Sequence, residues 1–192
     1  MSWGSVAAVV TVRCMHPRKE SPAGYVIRPP HPDDAAALAS VHVRVWKTTY
    51  PGLVDRAKLD ALTAAGGVER WERIIAGLDG QEREGVRTRC AVHAATSQIV
   101  GFATGGTARD DGAPSDTQLW SLNVLPEHHG TGVAAALLDA VIGTGDAYLW
   151  LATGNGRALA FYRKHGFELD GAVQVDEEWS CHESRMVRPD LR

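Results

Sequence analysis

A chain of 192 residues with 44% apolar residues is long enough to bury one core and too short to need two. Its 20 basic and 23 acidic residues are mixed along the sequence and sum to a formal charge of -3, so no basic stripe is available to neutralise phosphates, and nucleic acid is disfavoured as the main partner. Cys14, Cys90 and Cys181 lie far apart with no Cys-x-x-Cys spacing, which points to reduced thiols and a cytoplasmic protein.

The first apolar patch, "VAAVVTV" over residues 6–12, is too short to span a bilayer and lacks the flanks of an export signal, so no membrane partner is expected. Residues 1–24 end in the Pro-rich polar segment "HPRKESPAG" and read as a flexible N-terminal extension, with a single domain over residues 25–192. "YVIRP" is a short β-branched run stopped by two prolines. After it, Asp33 or Asp34 can cap a helix whose apolar positions Leu38, Val41 and Val45 recur at spacings of three and four. A break at "KTTYPG" leads to two further helical stretches, the second with Val68, Trp71, Ile75 and Leu78 on one side.

From Thr88 the period becomes that of strands. "RCAVHAA" and "IVGFATGG" flank a polar turn in the manner of a β-hairpin, and "ARDDGAPSDT" reads as an exposed, mobile loop. "QLWSLNVL" is a strand in which Trp120, Leu122 and Val124 alternate with Ser121 and Asn123. "VAAALLDAVI" carries a wide apolar helical face closed by Gly143 as C-cap. "AYLWLA" is apolar throughout and suits the interior of a sheet. A helix over "NGRALAFYRKHG" and two strands, "FELDGAVQV" and "WSCHESRMV", complete a mixed α and β order without internal repeats.

The junction "VLPEHHGTGVAAALL" passes from strand to helix through a knot of small residues. First-turn N–H groups of a helix lack intrahelical partners and carry the positive end of the macrodipole, so a glycine-rich entry lets phosphate oxygens approach. Gly130 and Gly132 permit unusual dihedrals, and Ala134 is small enough to bring the helix start near a ligand. The same glycines could serve only a tight turn. A third reading takes "GTGVAA" as the G-x-G-x-x-A of a Rossmann-type nucleotide-binding oxidoreductase. Against it, Pro126 to His129 separate the strand from the first glycine, and no acidic residue closes "AYLWLATGN".

A second motif, "NGRALAFYRKHGF", puts Asn155, Ala158, Leu159, Phe161 and Tyr162 on one helical arc, with Arg157, Ala160, Arg163 and Lys164 outside it. The buried side therefore carries a Tyr hydroxyl and an Asn amide. Together the two segments resemble the GNAT superfamily of acyl-CoA-dependent N-acetyltransferases, in element order from about Tyr25 to Val187 as well as in motif. The superfamily pattern of a strand, V-x-P and [QR]-x-x-G-x-[GA] is matched by Val124, Pro126 and His129 to Ala134, apart from its opening residue. The pattern N-x-x-A-x-x-F-Y-x-x-x-G-F is matched in full by Asn155, Ala158, Phe161, Tyr162, Gly166 and Phe167.

The resemblance implies an α+β fold: a mixed, mostly antiparallel central sheet with splayed middle strands and flanking helices. It implies acetyl-CoA as co-substrate and a primary amine, of a small molecule or a peptide N-terminus, as acceptor, the amine attacking the thioester directly in a ternary complex. Leu122, Asn123 and Val124 would pair with the pantetheine arm, and His129, Gly130, Thr131, Gly132, Val133 and Ala134 would hold the pyrophosphate. Asn155, Ala158, Phe161 and Tyr162 would line the cofactor. Catalytic roles fall to the backbone N–H near Val124, for the oxyanion, and to Tyr162, which would protonate the leaving thiolate. Trp46 and Tyr50, near the family's first helix-to-helix bend, would contact the acceptor or anchor the core. A homodimer is implied by the resemblance alone.

Two positions depart from the family. His129 stands where Gln or Arg opens the pyrophosphate loop, with a shorter reach and a pH-dependent charge. Gln118 stands where many relatives carry Glu, and an amide cannot act as a base. Deprotonation of the amine then passes to another group, to a water chain or to bulk solvent, with Asp111, Asp116 and His182 as candidates. That loss also leaves room for a non-catalytic acyl-CoA-binding module. His31, His42, His93 and His165 form no metal set by spacing, and the adjacent His128 and His129 cannot easily face one ion, so no metal is expected.

Overall fold

The computed structural model describes residues 22–189. The expected extension over residues 1–24 therefore lies, except for its last three residues, outside the described ones, as does Cys14. Seven strands form one sheet in the order β1-β2-β3-β4-β5-β7-β6: β1 Tyr25–Arg28, β2 Arg87–His93, β3 Ile99–Thr107, β4 Thr117–Val124, β5 Ala147–Ala152, β6 Glu168–Asp176 and β7 Cys181–Arg188. Five neighbouring pairs are antiparallel and one, β4 with β5, is parallel. This is the mixed, mostly antiparallel sheet expected, and it is not the parallel doubly wound sheet of a Rossmann unit.

Four helices, α1 Ala35–Thr49, α2 Arg56–Ala61, α3 Ala64–Ala76 and α4 Leu78–Arg83, stand between β1 and β2. The sequence pattern merges the last two, because Leu78 continues the apolar side of Trp71 and Ile75. Gly77 interrupts the helix there, and its N–H folds back onto carbonyls of the last turn of α3. Helix α5, Val133–Ile142, follows β4, and α6, Gly156–Lys164, follows β5. Gly143 closes α5 at a φ of 65°, a conformation that glycine adopts at little cost. The α1 entry differs from the expected Asp cap. Asp34 makes no side-chain cap; its carboxylate pairs with Arg28 and accepts from the His31 N–H.

Helices α1 and α3 pack on each other and onto the face of β3 that carries Phe102, whose ring meets Trp71 edge-on at 4.7 Å. The other face of β2, β3 and β4 is covered by α5, whose Val133, Leu137 and Leu138 have no exposed surface. Burying each such leucine removes enough apolar area from water to be worth roughly 1.5–3 kcal/mol. Coverage on both faces explains why the alternation expected along β4 fails: Asn123 is as buried as its neighbour Val124. No helix among the described residues is long and apolar enough to cross a membrane.

Gly101 sets the approach of β3 to the end of β4. A Cβ there would lie 2.6 Å from the Asn123 carbonyl oxygen and 3.2 Å from the Val124 Cα, so the two backbones would have to part. Gly101→Ala should therefore lower stability by about 1–3 kcal/mol, the usual cost of overpacking. Urea unfolding followed by tryptophan fluorescence measures it, and an unchanged midpoint would contradict the packing described.

Candidate functional site

The sheet forks at its parallel pair. β4 and β5 are registered only at Gln118–Tyr148 and Leu119–Leu149. Beyond these, β5 stays on β7 through Ala152, and β4 stays on β3 through Val124. A bulge starts the divergence: Gly105 faces Leu119 and Thr104 faces Ser121, which leaves Trp120 as the extra residue. An inserted residue bends a strand and increases its twist, so β4 turns away from β5 where the pairing ends.

Two tryptophans fix the fork. The Trp120 indole donates to the Thr107 carbonyl at 3.2 Å and carries the Arg109 guanidinium 3.3 Å above its ring. The Trp150 indole donates to Asp110 at 2.7 Å. The β3–β4 loop, expected to be mobile, is further tied by the Arg109 N–H to Gln118 at 3.0 Å and by Ser115 to Asp146 at 2.9 Å. A cavity of about 840 Å³ opens at the fork, bounded by β4, β5, α1, α6 and the β6–β7 turn.

Backbone register decides which groups of β4 face this cavity. The Leu125 N–H donates to the Val100 carbonyl at 2.8 Å, next to the facing pair Val124–Gly101. In an antiparallel ladder, hydrogen-bonded and non-hydrogen-bonded pairs alternate. Asn123 and Leu125 thus spend their peptide groups on β3, whereas Leu122 and Val124 direct theirs to the side that β5 has vacated. Of the three residues expected to meet a pantetheine arm, Leu122 and Val124 offer backbone groups, and Asn123 contributes only as cavity wall.

After β4 the chain makes a 3-10 turn, Pro126–His128, and enters α5 through Gly130 at φ 78° and Gly132 at φ 88°. Such left-handed values favour glycine. Gly132 supplies no side-chain cap to the helix, while the Thr131 hydroxyl donates to the His128 carbonyl at 2.8 Å and accepts from the Val133 N–H at 3.4 Å. His129 is placed differently from the direct anion donor the sequence suggests. One ring nitrogen, Nε2, sits 2.9 Å from the Val124 carbonyl, and Nδ1 contacts the Arg157 guanidinium. Arginine can only donate, so the network assigns Nδ1 as acceptor and Nε2–H as donor. Both nitrogens are thereby engaged, and the positive charge beside the glycine loop belongs to Arg157, from the first turn of α6.

Helix α6 presents its expected arc: Tyr162 is buried, Ala158, Leu159 and Phe161 are half-buried, and Arg157, Ala160, Arg163 and Lys164 are exposed. Asn155 caps this helix by accepting the Ala158 N–H at 3.1 Å, and Asn155, Ala158, Phe161 and Tyr162 all line the cavity. Tyr162 is 8% exposed, and its hydroxyl has no hydrogen-bond partner among the described residues. Burial, with a smaller contribution from Tyr50, pushes its pKa upward, so the phenol keeps its proton at neutral pH and is available as an acid.

Trp46 and Tyr50 both line the cavity and also pack on the small cluster of Val54, Leu59, Ala152 and Cys181. Gln118 is buried with its side-chain oxygen on the Arg109 N–H, so its amide is a fixed structural group. Asp111, Asp116 and His182 do not line the cavity. Asp176, Trp179 and Glu183, which the sequence reading passes over, do line it. Strand alternation held the only clue: residues 181, 183 and 185 of β7 share the face opposite to His182.

Residues 58–167, over half the chain, match the acetyltransferase (GNAT) family. An uncharacterized N-acetyltransferase of Mycobacterium bovis is 42% identical over 80 residues, covering 38% of this chain and 49% of its own length. The chain thus spans about half of that relative. A probable N-acetyltransferase of Mycobacterium tuberculosis is 26% identical over 155 residues, 78% of this chain and 83% of its own. Among solved structures, an N-acetyltransferase from Thermoplasma acidophilum in complex with coenzyme A superposes with a TM-score of 0.64 at 19% identity, over 86% of this chain and 98% of its own. A GNAT-family acetyltransferase from Streptococcus pneumoniae gives 0.61 at 20% identity, over 85% and 98%. With the fork, the glycine entry to α5 and the extent of the family match taken together, this chain belongs to the GNAT acetyltransferase family.

Proposed function

We propose that the protein transfers an acetyl group from acetyl-CoA to a primary amine of a small molecule or a peptide N-terminus, the amine attacking the thioester directly in a ternary complex. The observation that carries this reading is the forked strand: Leu122 and Val124 direct peptide groups into a cavity that also receives the Tyr162 phenol. A pantetheine arm is an extended chain with two amides, and an open strand edge recognises such a chain by adding it as a further strand. The N–H groups entering α5, from Gly130 to Ala134, suit the pyrophosphate, with the Arg157 guanidinium beside them.

Each residue then has a defined task. The Val124 N–H faces the cavity, whereas its carbonyl is occupied by His129, so a donor is available for the oxyanion that forms as the amine adds. Removing one such donor typically costs about 2.7–4 kcal/mol of transition-state stabilisation. As the carbon–sulfur bond breaks and its electron pair passes to sulfur, Tyr162 supplies the proton. The proton shed by the new amide nitrogen restores the phenol.

Two variants test the reading. Tyr162→Phe should lower kcat by about 10²-fold, the usual scale of general-acid assistance, with the affinity for coenzyme A nearly unchanged. Thiol release across an amine panel measures it, and full activity in the variant would remove Tyr162 from the role. A wild-type protein that binds coenzyme A and acetylates no amine would instead be a binding module. Arg157→Ala should weaken coenzyme A binding about tenfold, or about 1.4 kcal/mol, most at low salt, and leave the binding of acetyl-pantetheine, which lacks the pyrophosphate, unchanged. Calorimetry at two ionic strengths reads both, and equal losses for the two ligands would contradict contact between Arg157 and phosphate.

A further inference from the structure

With Gln118 fixed as an amide, the amine still has to lose a proton. An alkylammonium ion resembles a lysine, whose pKa is about 10.4, so only about one molecule in 2,500 is neutral at pH 7. A base inside the cavity would relieve that shortage, and the cavity wall formed by the β6–β7 turn contains a site suited to it.

The carboxylates of Asp176 and Glu183 and the Cys181 sulfur all lie within 4.8 Å of one another. Both carboxylates and the thiol line the same cavity as the unpartnered Tyr162 hydroxyl. Beside them stand three aromatic rings: Trp46 and Tyr50 stack with centroids 4.5 Å apart, and Trp46 lies 4.2 Å from Trp179. The turn that carries Trp179 is braced from α2. Lys58 donates to the Glu177 and Glu178 carbonyls and to Ser180, and the Asp55 N–H donates to the Trp179 carbonyl at 3.2 Å. Trp179 in turn donates its N–H to Asp176 at 3.0 Å.

Resting on the acetyltransferase reading above, we propose that Glu183 is the general base and that the acceptor is a cationic amine with an apolar body and no carboxylate. Its ammonium group would sit between Glu183 and Asp176, its carbon skeleton against Trp46, Tyr50 and Trp179. Faces of aromatic rings attract a cation, and the two acids would repel an anionic group. Glu183 takes one proton from the ammonium; the freed electron pair on nitrogen then attacks the thioester carbonyl carbon, and the carboxylic acid passes its proton to solvent.

The surroundings of Glu183 fit this task. Burial raises its pKa above the ordinary carboxylate value, opposed by the hydrogen bond from Gln174 at 2.8 Å and reinforced by Asp176 and Asp110. Tyr50, from the end of α1, faces it with a phenol pushed up to about 12, chiefly by burial, and the Cys181 thiol is pushed up to about 11 by burial and then by Glu183 and Asp176. The ionisable groups that face it are therefore neutral or acidic near pH 7. Lys58 is occupied by the turn carbonyls, and Arg109 lies on Trp120.

Glu183→Gln tests the assignment through a pH profile, measured with saturating acetyl-CoA and an alkylamine. In the wild type, kcat/KM for the amine should level off well below the pKa of the amine. In the variant it should be about 10²-fold lower at pH 7 and climb with pH until the deficit closes where the free amine is itself neutral. Parallel profiles would overturn the role of Glu183, whereas absence of transfer in the wild type would overturn the acetyltransferase reading instead. Since burial disfavours the charged carboxylate, the variant should melt no lower than the wild type at pH 7, which separates loss of a base from loss of fold. For the substrate class, Trp179→Ala should raise KM for the amine and leave KM for acetyl-CoA unchanged. Amino acids that outperform as acceptors their own carboxamides, which keep the ammonium group and lack the carboxylate, would overturn the exclusion of carboxylates.

Discussion

The divergence of β4 from β5 is the constraint on which the rest of the molecule depends. A parallel pair inside a sheet normally continues to the end of the shorter strand, because each unmade backbone hydrogen bond in a buried place costs about 1–3 kcal/mol. Here the pairing stops after two residues, and the groups released at Leu122 and Val124 are left beside a cavity. The cost is contained on the β5 side, since every residue of β5 is also registered with β7. It is contained on the β4 side because Asn123 and Leu125 remain tied to β3. Only one edge of each strand is exposed, and the Val124 carbonyl is already satisfied by His129. What remains is a short open edge inside the sheet, of the kind an extended ligand can complete.

The fork is held from several directions. The bulge at Trp120 bends β4, and Gly105, opposite Leu119, brings the bent segment close to α5: a Cβ there would lie 2.4 Å from Ile142 Cγ2. Trp120 and Trp150 are each hydrogen-bonded to the β3–β4 loop or its strand end, at Thr107 and Asp110. That loop therefore acts as a brace for the open end of the sheet, and its backbone is partly paid for by Gln118, whose side-chain oxygen accepts the Arg109 N–H. A glutamine is well suited to this work, since its amide remains uncharged when buried.

Much of this organisation is legible in the sequence, for reasons of range. Helix α6 and its buried arc follow from spacing alone, because the positions that share a helical face are fixed by 3.6 residues per turn. The glycine entry to α5 is likewise local: Gly130 and Gly132 adopt positive φ angles within one turn of chain. The bulge is different, since it exists only in the register of β4 against β3, a strand some fifteen residues away in the chain, which leaves Trp120 without a partner, and period-two alternation does not reveal it. His129 shows the same limit. Its residue type suggests an anion donor, but its partners are the Val124 carbonyl and an arginine on another helix. Glu183 was hidden by a third effect: "CHESRMV" contains His182 and Glu183 side by side, and only the face of β7 that meets α1 decides which of them reaches the cavity.

Burial acts on two groups of this cavity's wall in the same direction and with opposite chemical results. It raises the pKa of the Tyr162 phenol, whose proton is already held at neutral pH, and so secures the acid form. It raises the pKa of the Glu183 carboxyl, which brings a weak base nearer to a strength at which it can take a proton from an ammonium ion and release it again. The sign of the linked stability follows. A carboxyl whose pKa is higher in the folded state favours folding most at pH values below its unfolded pKa, and that contribution is lost as pH rises through the folded value. Once ionised, Glu183 therefore costs the fold some stability. A fold selected only for stability would favour an apolar residue in place of such a half-buried carboxyl, and its position on the wall that also carries Tyr162 accords with the acid and base roles proposed for the two.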